Sequence, residues 1–229
     1  MPGKPPAIPA GAPTRSVERA LALLASVCSG QGSSLAECAR STGLPASTAL
    51  RLLRTLEQVE FVARDDESGG YRAGPRMVQL GAQALGHEQL IPLCAPALQN
   101  IVGATGESAY LSVPGPGATS LYVSIVEGTH SIRHTSWVGR TVPLEGSAAG
   151  TVLLGRVPER GYVVLRSGVE PDVTAIAAPI RRPGGVAGAL SIVGPDYRLD
   201  QETAERHGRL LAREAASVAR SLGVEQNSA

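Results

Sequence analysis

The stretch LAECARSTGLPASTALRLLRTLE, Leu35–Glu57, decides the fold. It opens just after Ser34, and Ser34-x-x-Glu37 has the form of a capping box, in which side chain and backbone exchange hydrogen bonds at a helix start. Leu35, Cys38 and Ala39 then line one face of a short helix. Thr42-Gly43-Leu44 makes a tight turn, and Pro45 suits the first position of another helix, where its missing N–H costs nothing. On that next helix, 100° per residue puts Ala49, Leu52, Leu53, Leu56 and Val59 on one side. Ser47, Arg51, Arg54 and Gln58 fall in a narrow arc on the other. A leucine back and a Ser/Arg/Arg/Gln front describe an element packed behind and reading in front.

Working outward, a helix precedes this pair. Val17, Leu21, Leu24 and Cys28 recur at steps of three and four, and Gly30-Gln31-Gly32 closes it. After it come two short strands, Phe61–Arg64 and Gly70–Ala73, joined by a turn with Asp65, Asp66 and Glu67 at its tip. Three helices and a small wing make a winged helix-turn-helix, with the third helix as DNA reader. Carboxylates repel phosphate, so the wing tip reads as a solvated turn, while Arg64 and Arg72 beside it are placed to meet the DNA backbone. Helical arginines are usually just a solvated face. Their position on the third helix of a winged unit, and the fit of guanidinium to guanine and phosphate, favour DNA.

Beyond the wing, Met77–Gly86 reads as a connecting helix, with Met77, Leu80, Gly81 and Ala84 on one stripe. Leu90–Thr105 reads as another, broken near Pro92 and Pro96. The period then changes to that of strands: Ser108–Val113, Ser120–Val126, Ser131–Trp137, Gly161–Leu165, Thr174–Ile180 and Gly188–Gly194. Asp200 caps a long terminal helix striped by Ala204, Leu211, Ala215, Val218 and Leu222. The fold class is therefore α+β, with a largely antiparallel sheet.

Composition is that of an ordinary globular protein: 43% hydrophobic and 18% charged over 229 residues. Aromatics are only 3%, with one Phe and one Trp, so Leu, Val, Ile and Ala must build the cores. Net charge is +1, and a local arginine face rather than a global field must carry any affinity for DNA. Cys28, Cys38 and Cys94 are odd in number, widely spaced and set in apolar or helical patterns, as small buried hydrophobes are. The Pro-rich start has no apolar core of a signal peptide, and no apolar run nears the roughly 20 residues of a membrane span, so the expected location is the cytoplasm.

Enzyme signatures are missing: no G-x-S-x-G, no P-loop, no H-E-x-x-H. No cofactor or metal is expected. His130 and His134 would share a strand face, but no Cys or carboxylate sits at ligand spacing and Arg133 lies between them, which favours solvated or hydrogen-bonded histidines. Gly146–Gly150 looks like a strand running into a helix start. Its N–H groups could hold a ligand carboxylate, or the segment could be a capped helix packed by small residues.

Taken together with RSVERALALL, YRAGPRMVQLG, TGESAYLSV, IRHTSWVGRTVPLEGSAAGTVLL, VEPDVTAIAAPI and GALSIVGP, these residues resemble the IclR family of bacterial transcriptional regulators from about Arg15 to Gly223. The stretch to Pro13 cannot bury enough surface to order itself and reads as a disordered tail at 1–13. The resemblance implies a winged helix-turn-helix at 14–75, a connecting helix at 76–90 and a GAF-like effector-binding domain at 91–224, leaving a tail at 225–229. It implies a homodimer or dimer of dimers on a double-stranded DNA operator. It also implies a small-molecule effector, a carboxylate among the candidates. Ser47, Thr48 and Arg51 match the family's recognition helix, and Arg64, Tyr71 and Arg72 its wing. Ser147, Ala148, Glu170, Ala178 and Ser191 fall at or beside effector-cavity positions. One departure stands out: between Leu154 and Gly161 the family carries a longer helical segment, where this chain has only GRVPER. A rival expectation follows, a ligand-independent DNA-binding protein whose C-terminal domain serves only oligomerisation.

Overall fold

The computed structural model describes residues 14–29, 34–65, 67–86, 89–134 and 137–222. The start to Pro13, Gly30–Gly32, Asp66 and the tail at 225–229 lie outside them. The described residues form two compact units, divided between positions 87 and 88.

In the first unit, α1 (Arg15–Ser29) buries Leu23, Leu24 and Val27. The buried face is therefore turned from the stripe the sequence suggests. Val17 and Leu21 are 55% and 59% exposed, and Cys28 is exposed while Cys38 and Cys94 are buried. Helix α2 (Leu35–Thr42) starts with the expected capping box: the Glu37 N–H donates to Ser34 Oγ, and the Ser34 N–H donates to Glu37 Oε2 at 2.8 Å. It stops at Gly43, whose φ of +66° is the left-handed conformation that ends helices and that glycine adopts without steric cost. Helix α3 (Ala46–Gln58) follows, with Pro45 one position earlier than expected, as the cap residue. Its Ala49 and Leu53 enter a core with Leu23, Val27, Cys38 and Tyr71. Val59, just past the helix, is 51% exposed rather than part of that core.

Strands β1 (Val62–Arg64) and β2 (Tyr71–Ala73) pair antiparallel with Arg64 opposite Tyr71. The Asp65 carboxylate accepts the N–H and hydroxyl of Ser68, both at 2.8 Å, and those bonds hold it below the usual carboxylate range. That carboxylate closes the wing turn. Pro75, with no N–H to satisfy, begins α4 (Pro75–Gly86).

In the second unit, α5 (Leu90–Thr105) runs unbroken through both prolines. Pro92 lies in the first turn, where N–H groups have no intrahelical acceptor. Pro96 gives up one bond, and burial of Leu90, Cys94, Leu98, Ile101 and Val102 offsets it. A six-stranded antiparallel sheet follows in the order β5-β4-β3-β8-β7-β6. These are β3 (Ser108–Gly115), β4 (Thr119–Val126), β5 (Thr141–Pro143), β6 (Val163–Arg166), β7 (Val173–Arg182) and β8 (Gly185–Pro195). Helix α5 and the terminal α7 (Gln201–Ser221) cover one face, packing on Leu111, Ile176, Ala178, Ile180, Leu190 and Ile192. The short α6 (Ala148–Leu153) packs on the other, against Val163, Ala177 and Ala189.

The strand expected at Ser131–Trp137 does not form; of it, the described residues 131–134 and 137 are loop. Side chains, not a neighbouring strand, satisfy its backbone: the His134 carbonyl accepts from Ser108 Oγ at 2.9 Å, and the Ile132 carbonyl from Arg198 Nη2 at 2.8 Å. The edge of β4 pairs with β5 instead.

Candidate nucleic-acid interface and ligand pocket

The reading surface is built by α2, the turn at Gly43 and α3. Because Ala49 and Leu53 are pinned in the core, the opposite arc of α3 must face outward. Ser47, Arg51, Arg54 and Gln58 are all exposed, with Thr48 half-buried beside them. Arg51 and Arg54, three residues apart, sit about 60° from one another on the helix. Neither guanidinium forms a hydrogen bond or ion pair with any described residue, so both are open to phosphate or a base edge. In the wing, Arg64 is partly engaged: its Nε donates to the Gly69 carbonyl at 3.4 Å and its guanidinium lies 5.6 Å from the Tyr71 ring centre. Arg72 is exposed on β2.

The pocket lies on the α6 side of the sheet, floored by β4, β7 and β8 and walled by α6, by His134 and Trp137, and by the loop around 167–172. Tyr122, His134 and Trp137 form an aromatic wall. Val173, Ala175 and Val193 form an apolar floor, with Ser147, Ala148, Glu170 and Ser191 around it. The Tyr122 and Trp137 ring centres are 5.9 Å apart, those of His134 and Trp137 4.6 Å, both edge to face. The Tyr110 hydroxyl meets His134 Nδ1 at 2.6 Å, and His134 Nε2 lies 3.6 Å from Glu170 Oε2. Burial, reinforced by Glu170, pushes the Tyr122 hydroxyl up to about 12; burial with Tyr122, Glu127 and Glu170 pushes Tyr110 up as well. The space is small: the centre of a water-sized sphere can range over about 30 Å³.

Of the five residues that the sequence places around an effector, Ser147, Ala148, Glu170 and Ser191 line this pocket. Ala178 does not. Strand residues alternate between faces, so Val173 and Ala175 turn to the pocket while Ile176, Ala178 and Ile180 turn to α5 and α7. Ser147 caps α6: its Oγ accepts the Gly150 N–H at 3.0 Å and donates to the Pro143 carbonyl at 2.6 Å. Sequence reasoning missed Tyr122, His134 and Trp137. Their signal was a clustering of rings between 110 and 137 in a chain poor in aromatics. His130 sits apart, its Nε2 3.8 Å from the buried Glu107 carboxylate, which Arg198 grips at 2.7 and 3.0 Å.

Comparison with known proteins gives two adjoining matches: an IclR helix-turn-helix domain over residues 16–66, and the C-terminal region of bacterial transcriptional regulator IclR over residues 82–159. The transcriptional repressor IclR of Escherichia coli (strain K12) is 31% identical over 162 residues, 69% of this chain. The chain spans 59% of that repressor's length. An IclR transcriptional regulator from Alicyclobacillus acidocaldarius superposes with a TM-score of 0.76 at 25% identity, covering 91% of this chain and 99% of that one. An IclR homolog from Microbacterium hydrocarbonoxydans, solved in complex with 4-hydroxybenzoate, superposes with a TM-score of 0.73 at 22% identity, covering 90% and 99%. Among the described residues, no helix is long and apolar enough to cross a membrane.

Proposed function

The chain belongs to the IclR family of DNA-binding bacterial transcriptional regulators, and from that premise we propose that it is an operator-specific repressor under small-molecule control. The observation that carries the reading is the outward arc of α3, where Arg51 and Arg54 stand free on a helix whose back is locked into the core. Arg51 reads a base edge in the major groove, and Ser47, Thr48 and Arg54 fix the helix to it. Arg72, and Arg64 once released from Gly69, hold the phosphate backbone. Repression as the sign of control is supported by the name of the Escherichia coli relative.

Control by an effector is supported by the pocket beside α6 and by the 4-hydroxybenzoate complex of a protein with this fold. A bound ligand favours one arrangement of a homodimer, and so sets the spacing of its two recognition helices. Selection of duplexes from a random pool by the full-length chain tests the reading. The expected product is an enriched palindrome of two half-sites; a pool that stays random overturns it. One observation favours a second reading, a C-terminal unit used only for assembly. Between α6 and β6 the chain runs through a short turn, Leu154–Tyr162, and the pocket is small.

A further inference from the structure

We propose that the pocket beside α6 receives a compact organic cation, a primary or methylated ammonium head, rather than a carboxylate. The inference rests on reading that pocket as the effector site.

Among the described residues lining it there is no Arg or Lys, and the one carboxylate is Glu170. A carboxylate ligand would enter beside a like charge, and the one lining side chain able to carry positive charge, His134, is already set against Glu170 at 3.6 Å. An ammonium would meet Glu170, which stands 44% exposed at the pocket. The aromatic wall points the same way. Ring faces carry partial negative charge and attract cations, and Trp is the strongest of them. The Trp137 ring already takes one cation, the Arg140 guanidinium, 5.9 Å from its centre, and Arg140 is not among the lining residues.

On the floor, Ser191 is 2% exposed and its Oγ has no hydrogen-bond partner among the described residues. A buried hydroxyl left so is costly, and an ammonium N–H would satisfy its lone pair. Burial is the main cause of the upward shifts of Tyr110 and Tyr122, and Glu170 adds to both. The N-terminus of α6 does not reverse the balance: the helix has six residues, and Ser147 already occupies its Gly150 N–H. Size fits as well. The pocket is small, which suits a compact head group.

Trp137 is the sole tryptophan of the chain, so its emission reports on the pocket directly. The full-length protein is titrated with ethylammonium chloride, tetramethylammonium chloride and sodium propionate, with sodium chloride matching ionic strength. Ethylammonium is expected to change Trp137 emission saturably and propionate to leave it flat. Glu170→Gln, at an exposed position, is expected to weaken the ethylammonium response roughly tenfold by removing a charged hydrogen-bond acceptor. A saturable response to propionate alone overturns the cation assignment and leaves the effector pocket standing. A cation response unchanged in Glu170→Gln overturns it too, because the cation then sits elsewhere on Trp137. Silence to all three ions overturns the assignment and counts against the effector reading as well.

Discussion

The outward face of α3 and the pocket beside α6 are built in opposite ways. The first comes from thirteen consecutive residues, and its geometry follows from one helical period and the buried pair Ala49 and Leu53. Its arginines are left unengaged. The pocket draws on β4, β7, β8, α6 and two loops, spread from Tyr122 to Val193. Of its polar groups, His134 and Glu170 are tied together, in the Tyr110–His134–Glu170 series. The first is a surface that waits for a partner of high charge density. The second is a small site that admits only what fits its gaps.

The harshest way to break the contrast is to remove what locks α3. Leu53 is completely buried, and Leu53→Ala is expected to cost roughly 2–5 kcal/mol through lost burial and a residual cavity. Chemical denaturation measures it, and a cost under about 1 kcal/mol would mean that α3 is not held by its apolar back.

The pocket side can be sharpened at β7. Ala178→Leu overpacks the core beneath α5 and α7 and is expected to cost about 1–3 kcal/mol. Ala175→Leu, on the pocket face, should cost less, fill the cavity and shift Trp137 emission. If the two exchange effects, the register of β7 is one residue from that described.

That register marks where the sequence stopped being legible. The capping box, the α2–α3 turn and the exposed arc of α3 were all readable, because helical period and cap chemistry act within four residues. So were most strands, and four of the five pocket positions. Ala178 was not, because a run of small apolar residues, TAIAAPI, shows no alternation by which to assign its two faces. That residues 131–134 and 137 are loop was missed for a related reason. The stretch has strand-like periodicity, but Ser108 and Arg198, distant in sequence, supply the hydrogen bonds that a ladder would have made. The α1 stripe failed differently: Val17 and Leu21 keep the helical spacing and yet face outward.

A smaller effect tests the frame of the reading surface. Ser34→Ala removes the cap of α2 and is expected to cost about 1 kcal/mol in thermal unfolding. Hydrogen bonds from Ser34 hold the Glu37 carboxyl below the usual range. Its contribution is therefore complete above the unfolded carboxyl value near 4.5 and lost as pH falls through the lower folded one. Stability against pH should lose part of that acid-side component in Ser34→Ala, which keeps the backbone N–H bond to Glu37, and all of it in Glu37→Ala; an unchanged profile in Glu37→Ala would remove Glu37 from the cap.

The central claim is that Arg51 reads sequence while Arg72 only holds backbone, and fluorescence anisotropy tests it on a selected operator and a scrambled duplex across a salt series. Arg51→Ala is expected to cost roughly 1–3 kcal/mol on the operator, relaxing preference at one base position. Arg72→Ala is expected to weaken both duplexes alike and to lower the slope of log K against log salt by about one unit. If Arg51→Ala binds both duplexes as the parent does, α3 is not the reading element and the account fails.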